Sequence, residues 1–269
     1  MASSWVIFAS RVIFASSPWG SVANQAFKCF KTAKIIQIFK SGDSNSTVNY
    51  RPISMLPFLS KIVEKLMCGR LDSYLKSNNI LCTNQFGFHK NSNTSDASIE
   101  FLDYVYSLCD SKQSTIAVYL DFSKAFDTVN HNILMSKLLH NGVRGAMQHW
   151  FESYLNNRKQ FVSIKNCNSS MSNITLGVPQ VSVLGPLLFL LYINDMYRSS
   201  NQMRFVHFPD DTTAFASNSD INNVHATVNT ELAGVDNWLK ANRLSLNISK
   251  TSYMIISNQK IAFEIRIRD

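Results

Sequence analysis

No stretch of this 269-residue chain is apolar for the roughly 20 residues needed to cross a bilayer. The longest run, Val181 to Ile193, stops at Asn194 and Asp195 and reads as a buried helix. Cysteine pairs at metal or redox spacing are missing too. Cys29, Cys68, Cys82, Cys109 and Cys167 are scattered and odd in number, form no C-x-x-C, and join no histidine at zinc spacing. They read as reduced thiols of an intracellular protein, nuclear or cytoplasmic. An ordinary secretory leader is also lacking. Val-Ile-Phe-Ala-Ser occurs at 6–10 and again at 12–16 with Arg11 between the copies, whereas a signal peptide places its charge before an unbroken apolar stretch. Secretion is not expected, so the N-x-S/T sequons at Asn45, Asn93, Asn168, Asn173 and Asn247 carry no meaning. Charged residues are sparse at 16%, but an apolar share of 45% excludes wholesale disorder and supplies a core.

What charge there is lies unevenly. Residues 28–90 hold ten Lys/Arg against three Asp/Glu, while residues 91–269 hold fifteen of each. Nearly all of the net charge of +8 therefore sits in the first third, which suits a polyanion-binding surface, an ordinary solvated basic face being the alternative.

Polar turn formers at 41–50 separate a short apolar segment, 33–39, from a helical pattern with apolar residues at 59, 62, 63, 66, 67, 71, 74 and 75. A second helix fits 96–109. The β-branched run Thr115–Leu120 predicts a buried strand ending on Asp121. Helices follow at about 131–141 and 145–156, strands near 160–165 and 173–177, and the apolar helix at 183–196. Met203–Phe208 and Thr212–Ala216 read as a hairpin with Pro209, Asp210 and Asp211 at its tip. Ile221, Val224, Val228, Leu232, Val235 and Leu239 mark a long amphipathic helix, and Tyr253–Ile256 a last strand. This mixture predicts an α+β fold, a mostly antiparallel sheet backed by helices.

Two acidic clusters carry the chemistry: Leu-Asp-Phe-Ser-Lys-Ala-Phe-Asp at 120–127, and Phe-Pro-Asp-Asp-Thr at 208–212. Carboxylates gathered at the ends of apolar strands repel one another unless a cation lies between them. Magnesium favours such hard oxygen ligands, and two ions a few ångströms apart suit nucleotidyl transfer. An Asp-Asp pair alone is common in solvated turns, so the surroundings decide.

Tyr-Arg-Pro-Ile-Ser (50–54), Asn-Gln-Phe-Gly-Phe (84–88), Leu-Asp-Phe-Ser-Lys-Ala-Phe-Asp-Thr-Val-Asn-His (120–131), Gly-Val-Pro-Gln (177–180), Ser-Val-Leu-Gly-Pro-Leu-Leu-Phe-Leu-Leu-Tyr-Ile-Asn-Asp (182–195) and Asp-Asp-Thr (210–212) follow in order. Together, from about Phe30 to Ile256, they resemble the reverse transcriptase of non-LTR (LINE-type) retrotransposons, particularly the jockey-like group. The resemblance implies an RNA-directed DNA polymerase of right-hand type, with an atypical leader at 1–27, fingers at 28–114, palm at 115–256 and a basic tail at 257–269. Asp121, Asp210 and Asp211 would be catalytic, holding two Mg2+ ions (Mn2+ as an alternative), with the Phe122 carbonyl as a further ligand. Arg51, Lys90, Phe122, Phe126 and Gln180 would bind the nucleotide. Phe126 matches the aromatic that blocks a ribose 2′-hydroxyl, a core phenylalanine being the other reading, and Lys90 could instead contact the template backbone. Lys250 matches an aid to leaving-group protonation, a solvated lysine being the simpler reading. RNA template, DNA primer and deoxynucleoside triphosphates are the implied partners.

The chain departs from that pattern at four positions. Val181 stands where the family has glycine after Pro-Gln, Pro209 where alanine or tyrosine precedes the Asp pair, His89 where arginine follows Phe-Gly-Phe, and Gln37 where proline is usual. A β-branched residue takes positive φ poorly, and proline removes a donor from a hairpin. Such elements also carry an upstream endonuclease and a downstream thumb, so this sequence reads as a truncated or decayed copy. A catalytically silent nucleic-acid-binding remnant is the alternative to a working polymerase core.

Overall fold

The computed structural model describes residues 31–82, 94–165, 167–207, 211–257 and 265. Among the described residues are two sheets and seven α-helices. In the first sheet β1 (Thr32–Phe39) pairs antiparallel with β2 (Tyr50–Met55) and parallel with β4 (Arg158–Ile164), whose other partners are the short β5 (Cys167–Asn168) and β6 (Ser172–Ile174). It thus draws on both sides of residue 114. The second sheet is antiparallel, in the order β7 (Arg204–His207), β8 (Asp211–Asn218), β3 (Ser114–Asp121), β9 (Ser252–Ile256).

β3 is central because it can be buried on both faces. Ile116, Val118 and Leu120 point to the main core, which also takes Ala214 and Ala216 of β8. That core is completed by α6 (Gly185–Ile193) and by the stripe Val224, Val228, Leu232, Val235 and Leu239 of α7 (Ile221–Ala241). Ala117 and Tyr119 point the other way, where Phe101 and Tyr104 of α2 (Thr94–Asp110) pack on Phe215 at ring distances of 5.3 and 5.2 Å. Strand alternation puts Asp121 on this second face, where it is half-buried.

The remaining helices are α1 (Phe58–Ser77), the single turn α3 (Ala125–Thr128), α4 (His131–His140) and α5 (Ala146–Leu155). The Asn130 side chain caps α4, accepting from Asn132 N at 3.1 Å and Ile133 N at 3.2 Å. No helix among the described residues is long and apolar enough to cross a membrane.

The apolar segment 33–39 forms a strand, and with β4 it makes a parallel pair in the mostly antiparallel arrangement that the sequence predicts. Two sequence expectations need correction. Asp211 begins β8 rather than lying in the turn. Most consequentially, α1 is rotated: it buries Ser60, Glu64, Met67, Leu71 and Leu75, and leaves Leu59, Ile62 and Leu66 exposed. Burial at 60 and 64 is possible because the structure supplies Glu64 with hydrogen-bond donors.

Candidate active site

The β3–β8 ladder runs in unbroken register from Ser114↔Asn218 to Asp121↔Asp211. Directly opposed residues of an antiparallel pair share a face. Asp121 and Asp211 are therefore brought side by side at the ladder's end from positions 90 residues apart. Asp210, Pro209 and Lys90 lie outside the described residues, and Asp211 enters through its backbone. Among the described residues no three His, Cys, Asp or Glu side chains gather into a metal-ligand group.

Past Asp121 the strand leaves β8 and runs beside the segment 245–247. Asn247 N donates to Asp121 O, and Ser123 N to Ser245 O, both at 2.8 Å. With those groups committed to one side, alternation turns the Phe122 carbonyl toward the β8 side, where Asp211 lies. Lys250 Nζ stands 3.9 Å from Asp121 Oδ2 while staying largely exposed. The described oxygens at this end are the Asp121 carboxylate and the Phe122 carbonyl, with the Lys250 ammonium near enough to Asp121 to offset part of its charge. Hard oxygen donors on adjacent strand ends fit magnesium and fit zinc or copper poorly.

Beside it lies a loop built from backbone contacts. Gly177 N donates to Val129 O and Val178 N to Phe126 O, both at 2.8 Å. Gly177 holds φ +84°, and a Cβ there would meet the Asp127 backbone at 2.8–3.0 Å, so only glycine fits. This approach carries Gln180 to Asp127: Gln180 Nε2 donates to both carboxylate oxygens, at 2.9 and 3.0 Å. Burial raises the Asp127 pKa, against the bond from Gln180 and the nearby Lys124. Half-buried Phe126 rests its ring on Phe189, 4.9 Å away. Phe126 and Gln180 are thus neighbours, while Arg51 stands exposed on β2 of the other sheet.

Val181 follows Gln180 with φ +68° and is 67% exposed. Ser182 N donates to Pro179 O at 3.1 Å, which closes a turn whose third residue is Val181. Positive φ at that place is what a type II turn needs, and it is glycine's place.

Asp127, which orients Gln180, lies in the acidic cluster at 120–127 but was given no role of its own from sequence, and His207 was not singled out. His207 ends β7, is fully buried, and has its Nδ1 3.1 Å from Thr212 Oγ1. Burial lowers its pKa to about 4, so it is neutral beside the acidic end of the ladder. A lone histidine before Phe-Pro-Asp-Asp gave no signal of this.

Two sheets backed by helices, with Asp121 in register with Asp211 where β3 ends, are the architecture of a right-hand polymerase. Comparison with known proteins agrees. Residues 38–263 match the family described as reverse transcriptase (RNA-dependent DNA polymerase). The chain is 32% identical over 235 residues to "Probable RNA-directed DNA polymerase from transposon BS" of Drosophila melanogaster, covering 83% of this chain and 26% of that protein. It is 28% identical over 243 residues to the RNA-directed DNA polymerase from mobile element jockey of the same species, covering 86% and 26%. Among solved structures, telomerase from Candida tropicalis in complex with a fragment of telomeric RNA superposes with a TM-score of 0.61 at 14% identity, over 87% of this chain and 43% of that one. The chain belongs to the reverse transcriptase family, and its relatives are polymerases of non-LTR retrotransposons. It spans about a quarter of the length of those two relatives.

Proposed function

We propose that this domain carries the nucleotidyl-transfer site of an RNA-directed DNA polymerase, at which Asp121, Asp210 and Asp211 hold two divalent cations. The observation that carries the reading is the register of β3 and β8, which sets Asp121 against Asp211. Bound among these carboxylates and the Phe122 carbonyl, magnesium or manganese would supply the charge that activates a primer 3′-hydroxyl and stabilises departing pyrophosphate. Asp210, next to Asp211 in the chain, would complete the set. Lys250, 3.9 Å from Asp121, would offset carboxylate repulsion and could pass a proton to the leaving group. Gln180, oriented by Asp127, and Phe126 would line the deoxynucleotide, with Phe126 excluding a 2′-hydroxyl. Arg51 and Lys90 would meet the triphosphate, and the exposed Lys61, Lys65 and Arg70 of α1 would meet the nucleic-acid backbone.

A second reading rests on Val181. A β-branched residue in the left-handed region is strained by about 1–3 kcal/mol. It sits one residue from Gln180. In this reading the chain binds RNA template and DNA primer without turnover. Extension of a DNA primer on an RNA template with deoxynucleoside triphosphates and magnesium separates the two. Extension that Asp121→Asn and Asp210→Asn each abolish supports the polymerase; salt-sensitive binding with no extension supports the silent remnant.

A further inference from the structure

Helix α1 is turned against its own apolar pattern. Phe58, Leu59, Ile62 and Leu66 are exposed, while Glu64 is 1% exposed. A buried carboxylate is costly unless donors reach it. Tyr154 Oη on α5 donates to Glu64 Oε1 at 2.8 Å, and the backbone N–H of Val183 donates to Oε2 at 3.0 Å. Arg158, also 1% exposed, stacks on the Tyr154 ring at 4.7 Å, and its positive charge lines the same small cavity as Glu64 and Lys31.

Val183 lies three residues beyond Gln180, across the strained turn at Val181. A strained turn persists where its surroundings fix both ends. Its entry is fixed by the backbone bonds of Gly177 and Val178 to Val129 and Phe126. On the exit side Ser182 Oγ accepts from Gly185 N at 3.0 Å, a contact local to the start of α6. Two long-range ties hold that side: Tyr154 reaches the Ser182 side chain, and Glu64, 119 residues away in sequence, accepts from the Val183 backbone directly.

We infer that Glu64 is a positioning residue: its carboxylate fixes the exit of the 178–184 loop, and so sets Gln180 for the incoming deoxynucleotide. This rests on Gln180 belonging to the nucleotide pocket, and the test keeps the two claims apart. Amide hydrogen exchange is measured on the full chain for wild type and Glu64→Met, which keeps an unbranched side chain of similar length and removes the carboxylate acceptor. In parallel, dTTP and a primer–template duplex are titrated into each. The Val183 amide should exchange about tenfold faster in Glu64→Met. The core amides of β3, 116–120, should keep wild-type rates. Affinity for dTTP should fall by a similar factor while affinity for primer–template stays unchanged. Should Glu64→Met fail to fold, Glu64→Asp keeps the charge and withdraws it by one methylene, and should accelerate Val183 to a smaller degree. Tyr154→Phe leaves the carboxylate on Val183 and should leave that amide protected. Unaltered exchange at Val183 overturns the inference, as does faster exchange with dTTP affinity unaltered. If wild type takes up no dTTP, the nucleotide-pocket reading fails, and the exchange data still decide whether Glu64 holds the loop.

Discussion

At Val181 one side chain and one dihedral angle oppose each other. The turn asks for positive φ, and valine meets it only by crowding its branched Cβ against the backbone. Reversion to glycine removes the crowding, offset in part by the greater freedom glycine gains on unfolding. Displacing a catalytic group slightly can lower a rate about a hundredfold. Val181→Gly combined with Pro209→Ala should therefore raise magnesium-dependent primer extension by about tenfold or more, and adding Asp210→Asn should remove the gain. Equal extension by the parent chain would show both substitutions to be tolerated. His207 makes a separate prediction about stability. Its folded-state pKa is depressed to about 4 from the ordinary 6.5, so the unfolded chain takes up the proton first. Its contribution is fully present above pH 6.5 and is lost as pH falls toward 4, by up to about 3 kcal/mol. Urea unfolding from pH 7 to pH 4 should show this loss, and His207→Gln should flatten the slope. An unchanged slope in the variant would assign the loss to other groups.

Among the elements, the β3–β8 ladder was the most legible in the sequence. Thr115 to Leu120 is a β-branched apolar run ending on a carboxylate, and the Phe-Pro-Asp-Asp-Thr cluster stands between two more strand-like runs, so both acidic ends were visible before their pairing was known. The first sheet was far less legible. Its own small core is Ala33, Ile35 and Leu56, too few buried positions to leave a clear alternation, and its β1–β4 pairing joins residues 127 apart, as at Thr32↔Lys159. Helix α1 was found where its periodicity put it but on a rotated face, because Glu64 in a helix ordinarily reads as solvated. The 177–181 loop shows the same limit: glycine and glutamine name a motif, but the approach to Asp127 is a tertiary fact. Gly177→Ala places a Cβ against that backbone at positive φ and should destabilise the domain by about 1–3 kcal/mol in urea unfolding. A loss within about 0.5 kcal/mol would mean that the loop can retreat from Asp127 without consequence.

Across the whole molecule, the excess of positive charge near the start of the chain and the carboxylates at the end of β3 divide the expected work between holding nucleic acid and holding cations. If the basic surface binds backbone phosphates, the logarithm of primer–template affinity should fall linearly with the logarithm of salt concentration. Replacing Lys61, Lys65 and Arg70 together by glutamine should reduce that slope, and a flat salt response would count against a phosphate-binding face. The central claim is that Asp121, Asp210 and Asp211 share metal ions, and ferrous iron in place of magnesium tests it most directly. With ascorbate and peroxide, iron held at this site should cut the chain near 121–123 and near 208–212, wherever else the sequence is exposed. Excess magnesium should suppress both groups of cuts, and Asp121→Asn should remove them. Cleavage scattered over the surface, or cuts at these positions that survive Asp121→Asn, would contradict the account.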